Sequence, residues 1–326
     1  MKKFFLTTCL LLLTVGLVLG GTVATAADFP SKPITIICPW SPGGGTDRTA
    51  RFMAENLSEI LGEPVKVINK TGGAGAVGFS AGATARPDGY TVTNLTFEIN
   101  TLKHLGYSEL TPADYTPLLQ FNEDAAAVIV HADAPYETVQ DLLDDIKAKP
   151  DGTFVFSGSS IGSVWDLARV GLLHNAGIDP NKVKYTPSKG AAPAITELLG
   201  KHVDVITCSY PEAAAQVEGG DLKTLAIMAE ERNPQFDHVP TAKEQGVDFS
   251  YGTWRGYALA KGADPEVVNV LNDAFQQIVA SEEFKTFMAN NGFGIKIRVG
   301  DEFMDFMMQQ FEGLNDIIAL AGYGKE

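Results

Sequence analysis

Apolar positions along the chain come in short β-branched runs, each followed by a turn of small residues and then by an apolar stripe at helical spacing. The first cycle occupies residues 34–48, ITIICPWSPGGGTDR. Ile34, Ile36, Ile37 and Cys38 predict a strand, Pro42 with Gly43, Gly44 and Gly45 a turn, and Ala50, Phe52, Met53, Leu57 and Ile60 one face of a helix opening at Thr46. Residues 64–68 predict a second strand, and residues 90–95 a third after the turn Arg86-Pro87-Asp88-Gly89. Strand–turn–helix units in succession imply a parallel sheet with right-handed crossovers. Residues 98–116 are irregular, and 118–130 read as a strand broken by the polar Asn122-Glu123-Asp124.

A second cycle starts at Pro135. The pattern predicts helices over 137–149, 165–175, 191–199 and 212–218, alternating with strands over 154–156, 183–185, 203–207 and 224–228. A strand over 251–260 follows, then helices over 265–280, 281–291 and 302–320. Those C-terminal helices must cover a sheet, and the first has room for them. The expected organisation is therefore an α/β chain of two lobes: 28–122 plus 249–326 form a discontinuous first lobe and 123–248 an inserted second one. Crossing segments fall near 120–125 and 247–253.

The N-terminus changes the picture of where this happens. Lys2 and Lys3, an uncharged run over 4–21 and the small-residue site Ala24-Thr25-Ala26 make a secretory signal peptide over 1–27, cleaved after Ala26 or Ala27. About 300 residues remain, enough for two ordinary domains. Loss of the two lysines leaves 23 basic against 40 acidic residues, a net charge of −17, which argues against a nucleic-acid partner because a phosphate backbone demands a basic face. Cys38 and Cys208, far apart and each in an apolar run, read as buried thiols rather than a disulfide. The histidines are scattered with no metal-ligand spacing, so neither a metal nor another cofactor is expected.

The chemistry concentrates in the small-residue turns. Three glycines let a bound group approach the backbone, and the N–H groups of the following helix, with the positive end of its dipole, face that group. The turn is thus a candidate anion seat, or else a plain βα connection capped by Thr46 or Asp47. Gly73, Gly75 and Gly78 fit G-x-G-x-x-G between a strand and a helix, but the acid that a dinucleotide site needs about 20 residues on is missing in the right context. The loop Ser157-Gly158-Ser159-Ser160-Ile161-Gly162-Ser163 repeats the arrangement in the second half of the chain, with hydroxyl and backbone donors together. Trp40 and the pair Ser209 and Tyr210 follow strands directly, at the carboxyl ends where α/β clefts bind ligands. Lys189, Arg48 and Arg255 are possible counter-charges. A rival from another class is an exported α/β hydrolase-like enzyme using Ser159 or Ser163, although no G-x-S-x-G elbow surrounds them and His174 is the only histidine nearby.

In order along the chain, IICPWSPGGGTDRTAR, NKTGGAGAVG ahead of RPDGYT, SGSSIGS, SKGAAPAITELLGKHVDV, GGDLKTLAI and TWRGYALAKG resemble the tripartite tricarboxylate transporter substrate-binding proteins, also called Bug receptors. The resemblance runs from about residue 29 to the C-terminus. It implies a two-lobed periplasmic-binding-protein fold (Venus flytrap, type II-like) and a monomeric receptor, not an enzyme and without cofactor. Such a receptor closes on a small organic anion, a mono-, di- or tricarboxylate, and presents it to integral-membrane permease subunits. By that pattern Pro42, Gly43, Gly44, Gly45, Thr46 and Asp47, with Gly73, Ala74 and Gly75, line the cleft from one lobe. Ser157, Ser159, Ser160, Ile161, Gly162 and Ser163, with Lys189, Gly190, Ala191 and Ala192, line it from the other. Two places depart from the common family pattern: Thr207-Cys208-Ser209-Tyr210 and Glu98-Ile99-Asn100.

Overall fold

Helix α1 (Gly45–Leu61), which follows strand β1 (Ile34–Cys38), shows how the pattern becomes structure. Ala50, Met53, Ala54 and Leu57 bury one stripe of it, and Gly62 ends it in the left-handed region at φ 72°. The structure, a computed structural model, describes residues 29–323, so the expected signal peptide lies outside the described residues. Continuing along the chain, the elements are β2 (Val65–Asn69), α2 (Ala76–Ala83), β3 (Thr91–Thr96), β4 (Tyr115–His131), α3 (Val139–Ala148), β5 (Val155–Ser157), α4 (Val164–Asn175), β6 (Lys184–Tyr185) and α5 (Ala191–Leu199). Then come β7 (Val205–Ser209), α6 (Tyr210–Glu218), β8 (Leu222–Ile227), β9 (Gly252–Ala260), α7 (Pro265–Ala280), α8 (Glu282–Asn290), β10 (Ile295–Val299), α9 (Asp301–Gly313) and α10 (Asn315–Leu320).

The strands form two sheets that share β4. In the first, β1 lies parallel between β2 and β3, β9 is antiparallel to β3 and to β4, and β10 takes the far edge of β4. In the second, β5 lies parallel between β6 and β7, while β7 and β8 are antiparallel to β4 on opposite edges. The change of partner is abrupt: Ala125 pairs with Gly252 of β9, and Ala126 pairs with Ser209 of β7. This is a two-lobed periplasmic-binding-protein architecture with β4 running from one lobe into the other.

Three sequence expectations change. The strand through 118–130 is not broken at Asn122-Glu123-Asp124, because those residues keep their ladder to Arg255, Trp254 and Thr253 and the buried Asn122 and Asp124 side chains are bonded to Arg255. The expected helix over 302–320 is two helices, α9 and α10, preceded by the unforeseen β10, in which Ile295 and Ile297 face solvent at 46% and 36% exposure. Strand β7 extends to Ser209, and α6 starts directly at Tyr210, capped by Ser209 with Glu212 in a capping box.

Helices α7 and α8 return to the first lobe, where Leu271, Phe275 and Phe284 join Phe121, Tyr257 and Met53 in one core, with the Tyr257 ring stacked 4.6 Å from Phe275. Cys38 and Cys208 are free and buried, and burial pushes the Cys38 thiol up to about 12.

Candidate functional site

The N-termini of α1, α4 and α5 meet in one pocket between the lobes. Two of these starts share a local construction. Before α1, Gly43 takes φ 85°, and its N–H donates to Asp47 Oδ2 at 2.9 Å; Arg51, one turn further, donates to the same carboxylate at 2.8 and 2.9 Å. Before α4, Gly162 takes φ 70°, its N–H donates to Asp166 Oδ2 at 2.9 Å, and Arg169 donates to Asp166 at 2.7 and 2.9 Å. In each case a left-handed glycine folds the chain back onto an acid in the first helical turn, where the dipole favours negative charge. Burial pushes the Asp47 carboxyl up, and the bonds from Arg51, Gly43 and Asn69 with the Arg51 charge outweigh it and hold the group below the ordinary carboxylate range.

Asp47 is therefore a staple of its own turn rather than a group facing a ligand. Of the first glycine turn, Gly44, Gly45 and Thr46 line the pocket, whereas Pro42 and Gly43 are exposed outside it. Gly44 has φ −72°, and a Cβ there would meet only the Ser41 carbonyl at 3.6 Å. Gly45 is the restrictive position: a Cβ on it would lie 2.6 Å from Arg255 Nη2 and 3.0 Å from Glu212.

Trp40 lines the pocket with its indole N–H donating to Thr96 Oγ1 at 3.1 Å, and the Thr96 hydroxyl donates onward to Glu98 Oε2 at 2.5 Å. Because the ring forms wall, Trp40→Phe should keep packing while removing one hydrogen bond, a cost of about 1 kcal/mol in ligand-free unfolding experiments. A loss of several kcal/mol would place the ring in the core instead.

From the second lobe, Ser159, Gly190 and Ala191 reach the pocket. The other serines of that loop do not: Ser163 is bonded to Ser159 and to the Ser160 carbonyl, Ser160 reaches the Ser188 carbonyl, Ser157 is buried beneath the loop, and Ile161 faces outward at 39% exposure. Gly162 serves the turn geometry described above. Lys189 is exposed and contributes its carbonyl, which accepts from Ser41 Oγ at 3.1 Å. Gly73, Ala74 and Gly75 also stay off the wall; Gly75 at φ 90° packs so closely on Phe79 that a Cβ would sit 2.6 Å from its ring. Ser209 is spent on capping α6, and Tyr210, expected on an aromatic wall, is instead a first-turn residue whose ring stacks 4.2 Å from Phe236.

Ser41, Thr96, Glu98, Glu212, Thr253, Val164, Trp165 and Ala192 complete the wall. Of these, Ala192 lies in a turn that the family resemblance places on the cleft, and Trp165 opens an expected helix whose N-terminus faces it. Glu98 belongs to a departure from the family pattern that the resemblance places near the cleft. It is 2% exposed, and burial pushes its carboxyl above the ordinary range against the bonds from Thr96 and Val164 and the Arg255 charge. Arg255, also on the wall, is 1% exposed and uses four of its five N–H donors: it bonds Thr46 at 3.1 Å, Asp124 at 2.6 Å, Glu212 at 3.4 Å and Asn122. Arg48 points to the Pro211 carbonyl at 3.2 Å and to Asn291. The cavity volume is about 20 Å3, on the scale of one water molecule.

Comparison with known proteins identifies the class and then the family. The BugD periplasmic binding protein structure superposes with a TM-score of 0.84 at 28% identity, covering 91% of this chain and all, 100%, of that one. A TctC solute-binding protein from Polaromonas, solved without ligand, is 36% identical over 89% of this chain and 99% of its own, with a TM-score of 0.66. The UPF0065 protein in the gbd 5′ region of Cupriavidus necator is 30% identical over 276 residues, 84% of this chain and 83% of that protein. The model of the tripartite tricarboxylate transporter family receptor matches residues 49–322, and the chain belongs to that family.

Proposed function

We propose that this protein is an exported, periplasmic receptor that captures a small organic carboxylate between its lobes and delivers it to the membrane permease of a tripartite tricarboxylate-type transporter. The observation that carries this is the convergence of three helix N-termini from two lobes, α1 on one side and α4 and α5 on the other, on a single pocket. A buried carboxylate needs several donors to offset its desolvation, and each hydrogen bond to a charged group contributes about 1.5–3 kcal/mol. First-turn N–H groups supply such donors without a free arginine.

The lobes on this reading are 28–122 plus 249–326 and 123–248. The partner switch within β4 and the return of the chain into β9 at Gly252 support two crossing strands, about which small rotations open and close the cleft. With a cavity of only about 20 Å3, entry of any organic acid requires that opening. The same donors serve binding rather than catalysis. Ser159 and Ser163 bond to each other, and among the described residues no histidine lines the pocket to act as their base. Among the described residues no helix is long and apolar enough to cross a membrane, in keeping with a receptor that works beside a separate permease.

The test is a thermal-shift screen of mature protein against mono-, di- and tricarboxylates, with mass spectrometry of whatever co-purifies from the periplasm. A saturable stabilisation by one acid, without turnover, is expected. Turnover of an ester or amide, abolished in Ser159→Ala, would replace the receptor reading by the hydrolase one.

A further inference from the structure

For an anion receptor, the pocket wall carries little free positive charge. Glu98 and Glu212 both line it, and Arg255, the one basic side chain on the wall among the described residues, is already bonded to Asp124 at 2.6 Å and to Glu212 at 3.4 Å. Each of the two acids also takes one N–H at a helix N-terminus of the opposite lobe. The N–H of Gly45, which opens α1, donates to Glu212 Oε1 at 3.2 Å, and the N–H of Val164, which opens α4, donates to Glu98 Oε1 at 3.2 Å. At α5 the N–H groups of Ala191 and Ala192 have no protein acceptor among the described residues. Of the three starts, that of α5 alone has no protein carboxylate bonded to its first N–H groups among the described residues, and acids face the rest of the ligand.

Resting on the carboxylate-receptor reading, we propose that Glu98 determines specificity and that the ligand is a zwitterion, its carboxylate on the N-terminus of α5 and its ammonium group against Glu98. A carboxylate offers about four lone-pair directions. Glu98 spends one on the Thr96 hydroxyl at 2.5 Å and one on the Val164 N–H at 3.2 Å, and its own backbone N–H takes a third, so acceptor capacity remains for one ligand N–H donor. A second ligand carboxylate in that place would meet a like charge in a site shielded from water, where repulsion is strong. A ligand ammonium does the opposite. It compensates an acid whose ionised form is penalised by burial and has only the shared Arg255 charge to offset it. Thr96 ties this acid to the wall residue Trp40, which fixes the direction in which the carboxyl presents itself.

The experiment uses four-carbon acids that differ only in charged groups: 2-aminobutyrate, 4-aminobutyrate, butyrate and succinate, titrated calorimetrically into full-length mature protein and into Glu98→Gln. At least one aminobutyrate should bind the parent protein at least tenfold more tightly than butyrate and succinate. In Glu98→Gln that preference should fall at least tenfold, with succinate binding unchanged or tighter. Succinate binding to the parent protein as tightly as both aminobutyrates overturns the zwitterion while leaving the carboxylate receptor standing. An unchanged preference in a folded Glu98→Gln overturns the role of Glu98. No binding of any of the four overturns this proposal, whereas the carboxylate reading falls only if the wider screen of mono-, di- and tricarboxylates is empty as well. Circular dichroism and a ligand-free melt accompany the variant, and if it does not fold, the ranking on the parent protein decides.

Discussion

Gly45→Val is expected to abolish ligand binding, a loss of at least about a hundredfold or ~2.8 kcal/mol in titration calorimetry. The cause is local and steric. A Cβ at this position would stand 2.6 Å from the Arg255 guanidinium and 3.0 Å from Glu212, both on the pocket wall, and the N–H of Gly45 is the group that bonds Glu212 across the cleft at 3.2 Å. Widening the gap to admit a side chain pushes the second lobe off α1, so the donors of the two lobes can no longer meet on one ligand. Gly44→Ala is the matched control. Its φ of −72° suits any residue and a Cβ there meets nothing nearer than 3.6 Å, so binding within about tenfold of the parent is expected. Arg48→Ala should likewise stay within about tenfold, because that guanidinium is turned to the Pro211 carbonyl and Asn291. A folded Gly45→Val protein that binds normally would show that the close approach at Gly45 does not set the distance between the lobes. A collapse of binding in Arg48→Ala would transfer recognition to a side-chain charge.

The sequence made the turns legible but not the assignments within them. A run of three glycines before an apolar helical stripe announces a close approach, yet nothing in it tells which glycine faces a neighbour. Gly43 supplies the left-handed φ, Gly44 is ordinary backbone, and Gly45 is the one enclosed. The serine loop promises hydroxyl and backbone donors together, whereas the fold uses most of the hydroxyls internally and presents Ser159 with the starts of α4 and α5. Asp47 and Asp166 show why composition alone misleads: an acid in the first helical turn looks like a site residue, and here each is consumed by a glycine N–H and an arginine within eight positions of it in the chain. Long-range partners were the least visible. Glu98 and Glu212 come from opposite lobes, and only the tertiary fold sets each on the other lobe's helix start. The alternation Ile295, Ile297, Val299 was a readable strand signal, masked by the helical stripes on both sides.

Removing the charge of Arg255 should cost about 3–5 kcal/mol of stability, measured as the shift in guanidinium unfolding of Arg255→Ala. The guanidinium is 1% exposed, and the Asp124 and Glu212 side chains are 3% and 6% exposed. Forming such a buried pair from solvated ions gains little, since desolvation offsets the attraction, but deleting one member leaves carboxylates buried without compensation. The geometry makes the position unusually demanding, because one planar fork reaches Thr46 in α1, Asn122 and Asp124 in β4 and Glu212 in α6, tying both lobes to the strand they share. Arg255→Lys retains the charge but offers a single nitrogen, so it should recover only part of the loss. If the carboxylates are the source of the cost, neutralising them must relieve it: Arg255→Met combined with Asp124→Asn and Glu212→Gln should be more stable than Arg255→Met alone. Additive losses in that triple variant would show instead that the guanidinium acts through packing on Phe293, whose ring centre lies 5.4 Å away, and not through charge.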